Sequence, residues 1–190
     1  MADFGELILV VSDLHIPFRG IEIPAKFKAM LVPDKFKHIV CAGNLCTSEQ
    51  VELFKSLSED NHIIKGDFDE FLGDYPYEDR FSVGDWTFGV CHGHQLVPNG
   101  DHSVLNSLAR KLDVNVLITG HTHKLDVFKE NSTLFLNPGS FTGAFTPSNP
   151  DNHPTFILLA VKDDKLTVFT YQLKDNKLDV KKTEYTKSEL

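Results

Sequence analysis

The segment LILVVSDLH, residues 7–15, runs five apolar side chains straight into a polar turn that carries Asp13 and His15. Five such residues are enough for a buried strand and far short of the ~18 that a membrane span needs. The same grammar recurs. HIVCAG (38–43) is an apolar run that stops at Gly43-Asn44, and HIIKG (62–66) stops at Gly66-Asp67-Phe68-Asp69. Between these runs the apolar spacing changes to that of a helix. Residues 24–31 open with Pro24 at a first helical position and put Phe27, Met30 and Leu31 on one stripe. Residues 48–58, capped by Thr47 or Ser48, repeat Val51, Phe54 and Leu57 at helical intervals. Strand, helix, strand, helix, strand predicts right-handed crossovers and a parallel sheet with helices on its faces.

The second half has a different rhythm. Residues 80–83 and 86–92 flank Gly84-Asp85 as a hairpin, residues 104–112 present a helical face, and VNVLITG (114–120) is another strand that ends in glycine. Short runs at 125–129, 133–136, 156–161, 166–173 and 178–185, joined by tight polar turns, predict a second sheet that is mixed or antiparallel. The proline- and asparagine-rich stretch 146–154 is shorter than an interdomain linker, so residues 1–190 read as one domain holding two packed sheets, frayed only at 186–190.

Composition narrows the function. Nineteen Lys and Arg against 27 Asp and Glu give a net charge of −8, which repels nucleic acid and anionic membranes. Neither nucleic-acid binding nor direct membrane insertion is expected, and the N-terminus lacks the pattern of a secretory signal. Cys41, Cys46 and Cys91 form no CxxC, and two of them fall in apolar stretches, as buried reduced thiols of a cytoplasmic protein do.

Five of the nine histidines fall in three tight groups, Asp13-Leu14-His15, His92-Gly93-His94 and His121-Thr122-His123, each directly after an apolar strand. Asn44 and Asp67 hold the same place after two more. The carboxyl ends of strands in an α/β sheet line one crevice, so Asp13, His15, Asn44, Asp67, His92, His121 and His123 converge on one edge. Imidazoles, carboxylates and an amide oxygen suit Mn, Fe or Zn better than Ca or Mg. Any one DxH or HxH alone reads equally as a capped turn or a surface histidine; the repetition after successive strands carries the metal reading.

The order DxH, GN, GDxD, HGH, GHTH resembles the calcineurin-like metallophosphoesterase superfamily, whose members hydrolyse phosphomonoesters and phosphodiesters at a two-metal site. More narrowly, DLHIP (13–17), PAKFK (24–28), GNLCT (43–47), GDFDE (66–70), GHQ (93–95), GHTHK (120–124) and NPGS-TGA (137–144) resemble the small-subunit family of retromer, over about residues 6–186. The resemblance implies an α/β, metallophosphoesterase-like two-sheet sandwich flanked by helices. It implies that Asp13, His15 and His123 hold one ion and Asp67, His92 and His121 another, as Zn²⁺ or Mn²⁺, up to two ions, with residue 44 between them. Two departures matter. Asn44 stands where the active family has a bridging aspartate, while Asp67 stands for its asparagine. Phe68 replaces the histidine that assists the transferring phosphate, and a phenyl ring neither donates a proton nor binds an oxyanion.

The resemblance further implies a scaffold with two faces. The metal-side face would dock on the large α-solenoid vacuolar sorting subunit of the 35 type, or on the related retriever/commander solenoid. Phe68 and the loop Leu96-Val97-Pro98 are its expected contacts, although Phe68 reads equally as a core residue and the loop as local packing. An apolar groove of Leu7, Met30, Leu31, Leu158, Phe169, Tyr171 and Val180 would receive Rab GTPase-activating and ankyrin-repeat endosomal regulators. Each of these residues reads as well as ordinary core, and Phe169 stands where the family has tyrosine. The function expected is therefore a non-catalytic subunit of the retromer cargo-retrieval complex in endosome-to-Golgi transport, cytoplasmic and peripheral on endosome membranes through the complex. The alternative is a divalent-metal-dependent phosphoesterase acting on a small phosphodiester or phosphoprotein.

Overall fold

The computed structural model describes residues 5–70, 72–150 and 152–190. The first three strands, β1 (Glu6–Val11), β2 (His38–Cys41) and β3 (Asp60–Ile63), lie parallel and in sequence order. Their crossovers contain α1 (Ala25–Lys28) and α2 (Ser48–Lys55). Thr47 caps α2, its hydroxyl accepting from the Gln50 N–H. Helix α1 is shorter than its apolar stripe predicts. Pro24 is its N-cap, and Met30 and Leu31 sit in turns closed by bonds to Phe27 and Lys28. Pro33 follows, and a residue before proline is pushed out of helical conformation.

A hairpin of β4 (Glu78–Val83) and β5 (Trp86–Cys91) starts the second sheet, with α3 (His102–Leu112), β6 (Val116–Thr119), β7 (Leu125–Glu130) and β8 (Thr133–Pro138) after it. Its order is β4-β5-β6-β8-β7, parallel through the middle and antiparallel at both edges. The last three strands, β9 (Thr155–Lys162), β10 (Lys165–Lys174) and β11 (Lys177–Thr186), correct the sequence reading. They do not extend the second sheet but return to the first, whose order is β11-β10-β9-β1-β2-β3. The reason is the free edge of β1. Parallel crossovers fill only one side of it, and β9 satisfies the other in antiparallel register, Ile8 opposite Leu159 and Val10 opposite Ile157. The tail also carries local structure. Lys187–Glu189 forms a 3₁₀ turn with a capping box on Thr186, and Leu190 packs against the inter-sheet core.

The sheets meet face to face. Ile8, Val10, Val40, Ile157 and Leu159 from one oppose Trp86, Phe88, Val90, Ile118 and Leu136 from the other, all essentially inaccessible. Helices close the outer faces. Phe27, Val51 and Phe54 cover Leu9, Val11 and Ile39, while Leu105, Leu108 and Ala109 of α3 cover Cys91, Leu117 and Phe135. The three cysteines are free and buried. Burial pushes the Cys46 thiol up to about 12 and that of Cys91 to about 11, so both stay protonated at neutral pH. Among the described residues no helix is long and apolar enough to cross a membrane.

Candidate metal centre

The carboxyl ends of β1, β2, β3, β5 and β6 open into one crevice, and the chain leaves β1, β2 and β6 there in an unusual conformation. Asp13, His15, Asn44, His121 and His123 all adopt positive φ, between 50° and 67°. Left-handed backbone is uncommon outside glycine and gathers where the surrounding structure enforces it. It turns each side chain back over the sheet edge. Gly43 permits a close approach: a Cβ there would stand 2.6 Å from His92 Nδ1.

Two triads result. The donor atoms of Asp13, His15 and His123 lie within 4.8 Å of one another, and so do those of Asp67, His92 and His121. Asp13 Oδ1 is 3.5 Å from His15 Nε2, 3.4 Å from His123 Nε2 and 3.8 Å from His92 Nε2, so this carboxylate faces both sets. Asp67 Oδ1 is 3.0 Å from His92 Nε2 and 3.6 Å from His121 Nδ1. The outer ring nitrogens are held as metal ligands require. His92 Nδ1 is 2.6 Å from the Ala42 carbonyl and His123 Nδ1 is 2.7 Å from that of Ala144. A carbonyl only accepts, so both rings carry a proton on Nδ1 and aim Nε2 inward. His15 and His123 meet Nε2 to Nε2 at 3.1 Å, an approach of two like atoms that needs a proton or a cation between them. Each triad offers two imidazoles and one carboxylate, a donor set that fits a zinc-class ion with a coordination position left open.

The electrostatics point the same way. Burial would raise the Asp13 carboxyl, but His92, His123 and His15 outweigh it and hold it well below the ordinary carboxylate range. Burial opposes the ionised Asp67 too, and His121, His92 and Asn44 bring it below that range. Burial would lower His92 and His123; Asp13 raises both above the usual imidazole value, assisted at His92 by Asp67. The crevice stabilises positive charge.

Asn44, expected to offer its amide oxygen to the centre, is turned the other way. Its Oδ1 accepts from the Phe68 N–H at 2.9 Å, which leaves the amide NH₂ facing the centre. That nitrogen lies 2.9 Å from Asp67 Oδ1, 2.9 Å from His92 Nε2 and 3.2 Å from Asp13 Oδ1. An NH₂ group has no lone pair for a cation, so in this orientation Asn44 ties the two triads by donating to them. Sequence reasoning passed over Asp69, the second aspartate of GDFD. It is fully buried and accepts from the N–H groups of Asn44 at 2.5 Å, Cys46 at 2.7 Å and Gly66 at 2.8 Å, joining the ends of β2 and β3. Asn99, 3.1 Å from His121 Nε2, was missed as well. Its loop gave no signal beyond polarity.

Phe68 lies on the rim, not in the core. It is 37% exposed, edge-on to His15 at 5.0 Å, with the Arg19 guanidinium 4.3 Å from its ring centre. Ring and guanidinium line a cleft of about 310 Å³ together with His15, Asp67, His121 and His123. In the neighbouring loop Val97 is 79% exposed and Pro98 is exposed, whereas Leu96 is half-buried against the α3-side core. The groove residues lie elsewhere. Leu158 is paired with Phe169 and Tyr171 with Val180, and with Leu7 these side chains share the outer face of the first sheet. Leu7, Met30, Leu31, Leu158 and Tyr171 are half-buried against the helix-side core, and Val180 is 44% exposed.

This architecture has counterparts. Residues 7–164 match the model of the calcineurin-like phosphoesterase superfamily domain. Vacuolar protein sorting-associated protein 29 of Schizosaccharomyces pombe is 34% identical over 187 residues, 96% of this chain and 100% of that protein. The structure of Vacuolar Protein Sorting 29 from Cryptosporidium parvum superposes with a TM-score of 0.93 at 38% identity, covering 97% of this chain and 100% of that one. Wild-type Vps29 from Entamoeba histolytica, complexed with Zn²⁺, gives 0.88 at 39% identity, covering 94% of this chain and 98% of that one. With the fold and nearly the whole length held in common, the chain belongs to the calcineurin-like phosphoesterase superfamily and, within it, to the vacuolar protein sorting-associated protein 29 family.

Proposed function

We propose that this chain is a non-catalytic scaffold subunit of the retromer cargo-retrieval complex, acting in endosome-to-Golgi transport and peripheral on endosome membranes through its partners. The observation that carries the reading is the pairing of Phe68 with Asn44. The ring occupies the rim of the cleft where a phosphate-assisting group would be needed, and its own N–H holds the Asn44 oxygen away from the centre. A group that protonates or stabilises the transferring phosphate typically contributes ~10²–10⁴ in rate, and phenylalanine supplies neither function.

Asp13, His15 and His123 would hold one ion of Zn²⁺ or Mn²⁺, and Asp67, His92 and His121 a second. A pair of bound divalent ions supplies Lewis acidity and an activated water in phosphoesterases. In this chain the metal would instead neutralise the crevice and fix the loops after the strands, whose rim then presents Phe68, Val97 and Pro98 to the large α-solenoid subunit of the 35 type or its retriever/commander counterpart. The outer face of the first sheet, with Leu158, Phe169, Tyr171 and Val180, would receive Rab GTPase-activating and ankyrin-repeat regulators. Binding of a solenoid fragment by the unmodified chain, lost in Val97→Asp while the fold is kept, is the result this reading requires. Unchanged solenoid affinity in the folded variant rejects the assigned contact.

The second reading, a phosphoesterase acting on a small phosphodiester or phosphoprotein, is favoured by the two complete triads. It requires turnover of an aryl phosphodiester with Mn²⁺ that co-purifies with the chain and disappears in His121→Ala.

A further inference from the structure

A second group of metal-ligating side chains lies at the opposite end of the first sheet, at the amino ends of its strands. His38 stands at the start of β2, and Asp60 and His62 stand on β3. Their donor atoms lie within 4.8 Å of one another. Asp60 is paired directly opposite His38, and His62 is two residues further along the same strand, so all three share the face that looks toward the second sheet. Glu6 enters from β1, and Asp79 and Phe81 descend from β4 in the other sheet.

Hydrogen bonding fixes the tautomer of both rings. His38 Nε2 is 3.2 Å from Glu6 Oε2, and His62 Nδ1 is 2.7 Å from Asp79 Oδ2. Ionised carboxylates only accept, so each ring spends its proton outward, and Asp79 is held below the ordinary carboxylate range by that bond to His62. The opposite nitrogens, His38 Nδ1 and His62 Nε2, are buried and make no hydrogen bond. Yet they lie 2.8 Å from Asp60 Oδ2 and 3.2 Å from Asp60 Oδ1. The His38 side chain is only 8% exposed, so water does not relieve it. A lone pair on either nitrogen would repel that carboxylate, so each approach needs a proton or a cation between the two atoms. The donor-to-donor distance around a tetrahedral ion with bonds of ~2.0–2.1 Å is about 3.3 Å, close to these separations.

We propose that His38 Nδ1, His62 Nε2 and the Asp60 carboxylate form a mononuclear site for a zinc-class divalent cation, separate from the strand-end crevice. Glu6 and Asp79 orient the two imidazoles from behind, the arrangement in which a carboxylate fixes a metal-bound histidine. Phe81 stacks on His62 with centroids 3.6 Å apart and prevents the ring from turning. Asp60 is half-exposed and provides the entrance, with an open position for water or an external ligand. The charge balance agrees, since the three carboxylates of Glu6, Asp60 and Asp79 gathered here attract a divalent cation strongly. Because Glu6 and the ligands belong to the first sheet and Asp79 to the second, the ion would clamp the sandwich along this edge.

The decisive measurement is diffraction at the zinc edge from crystals of the full, unmodified chain equilibrated with micromolar Zn²⁺. Anomalous density within bonding distance of His38 Nδ1 and His62 Nε2 is expected. Density at the strand-end crevice with none at this position overturns the proposal, as does density here only at millimolar zinc. Native mass spectrometry gives a second reading that needs no crystal. The unmodified chain should carry one zinc more than Asp60→Asn or His62→Gln, and Glu6→Gln or Asp79→Asn should weaken that equivalent by about 10–100-fold. Equal zinc content in the folded variants and the unmodified chain rejects the site. If a variant does not fold, the zinc-edge experiment on the unmodified chain decides alone.

Discussion

At the scale of single residues the strand-end crevice is a contest between protons and metal. His92 and His123 are raised above the usual imidazole value of ~6.5. A raised histidine contributes stability that is fully present below its unfolded value and is lost as pH rises through the folded one. The metal-free chain should therefore melt at progressively lower temperature as pH increases from about 6.5. Asp13 and Asp67 are lowered, so their contribution is present above ~4 and declines as pH falls toward their folded values. Zn²⁺ should remove the loss on the alkaline side, because the ion replaces the imidazolium charge, and its affinity should fall toward acid. Melts from pH 5 to 9 with and without zinc check this; parallel curves would contradict it. Asp67→Ala removes a ligand from one triad only, so calorimetry with Zn²⁺ should show one weakened class of site and one retained. Asp69 makes the buried prediction. Its replacement by alanine strands three backbone donors at about 1–3 kcal/mol each, so Asp69→Ala should lower the melting temperature sharply and weaken metal binding without removing a ligand.

At the scale of elements, α2 positions the crevice although it contributes no donor to it. Its buried Phe54 packs on Phe141, and Thr47 begins the helix directly after the loop of Asn44 to Cys46. Phe54→Ala should destabilise the chain by about 3–5 kcal/mol, the usual cost of removing a buried phenyl ring, as read by denaturant unfolding. Much at this scale was legible locally. The apolar run of residues 7–11, the switch to helical spacing at 48–58 and the Gly84-Asp85 hairpin each lie within a few consecutive residues, where periodicity and turn chemistry act. The extent of α1 was not, since its stripe of Phe27, Met30 and Leu31 persists after hydrogen bonding has changed to turns. The destination of β9 was not legible either. Alternation says that residues 155–162 form a strand and is silent about which of two sheet edges receives it.

For the whole molecule the expectation is that two surfaces fail separately. Val97 lies on the metal-side rim and Val180 on the outer face of the first sheet, both exposed enough to accept a charge without unfolding the chain. Leu158 is a poorer probe, because it packs against the helix-side core. Val97→Asp should weaken a solenoid fragment at least tenfold, about 1.4 kcal/mol, and leave a groove peptide unaffected. Val180→Asp should do the reverse, since distant sites act nearly independently. Paired titrations with thermal melts test this, and a crossed result would exchange the two faces.

The sequence by itself determined the strands, the turns that end them and the six histidines and aspartates of the two triads, because a side chain directly after a buried parallel strand has one edge of the sheet to go to. Only the tertiary structure decided the rest. The Asn44 oxygen is turned by a backbone N–H 24 residues away, and Asp69 becomes a brace only once the ends of β2 and β3 are adjacent. His38 and Asp60 become neighbours only through cross-strand register. Such contacts depend on which strand lies beside which, and pairing is fixed by burial and edge satisfaction over the whole chain rather than by any local run of residues.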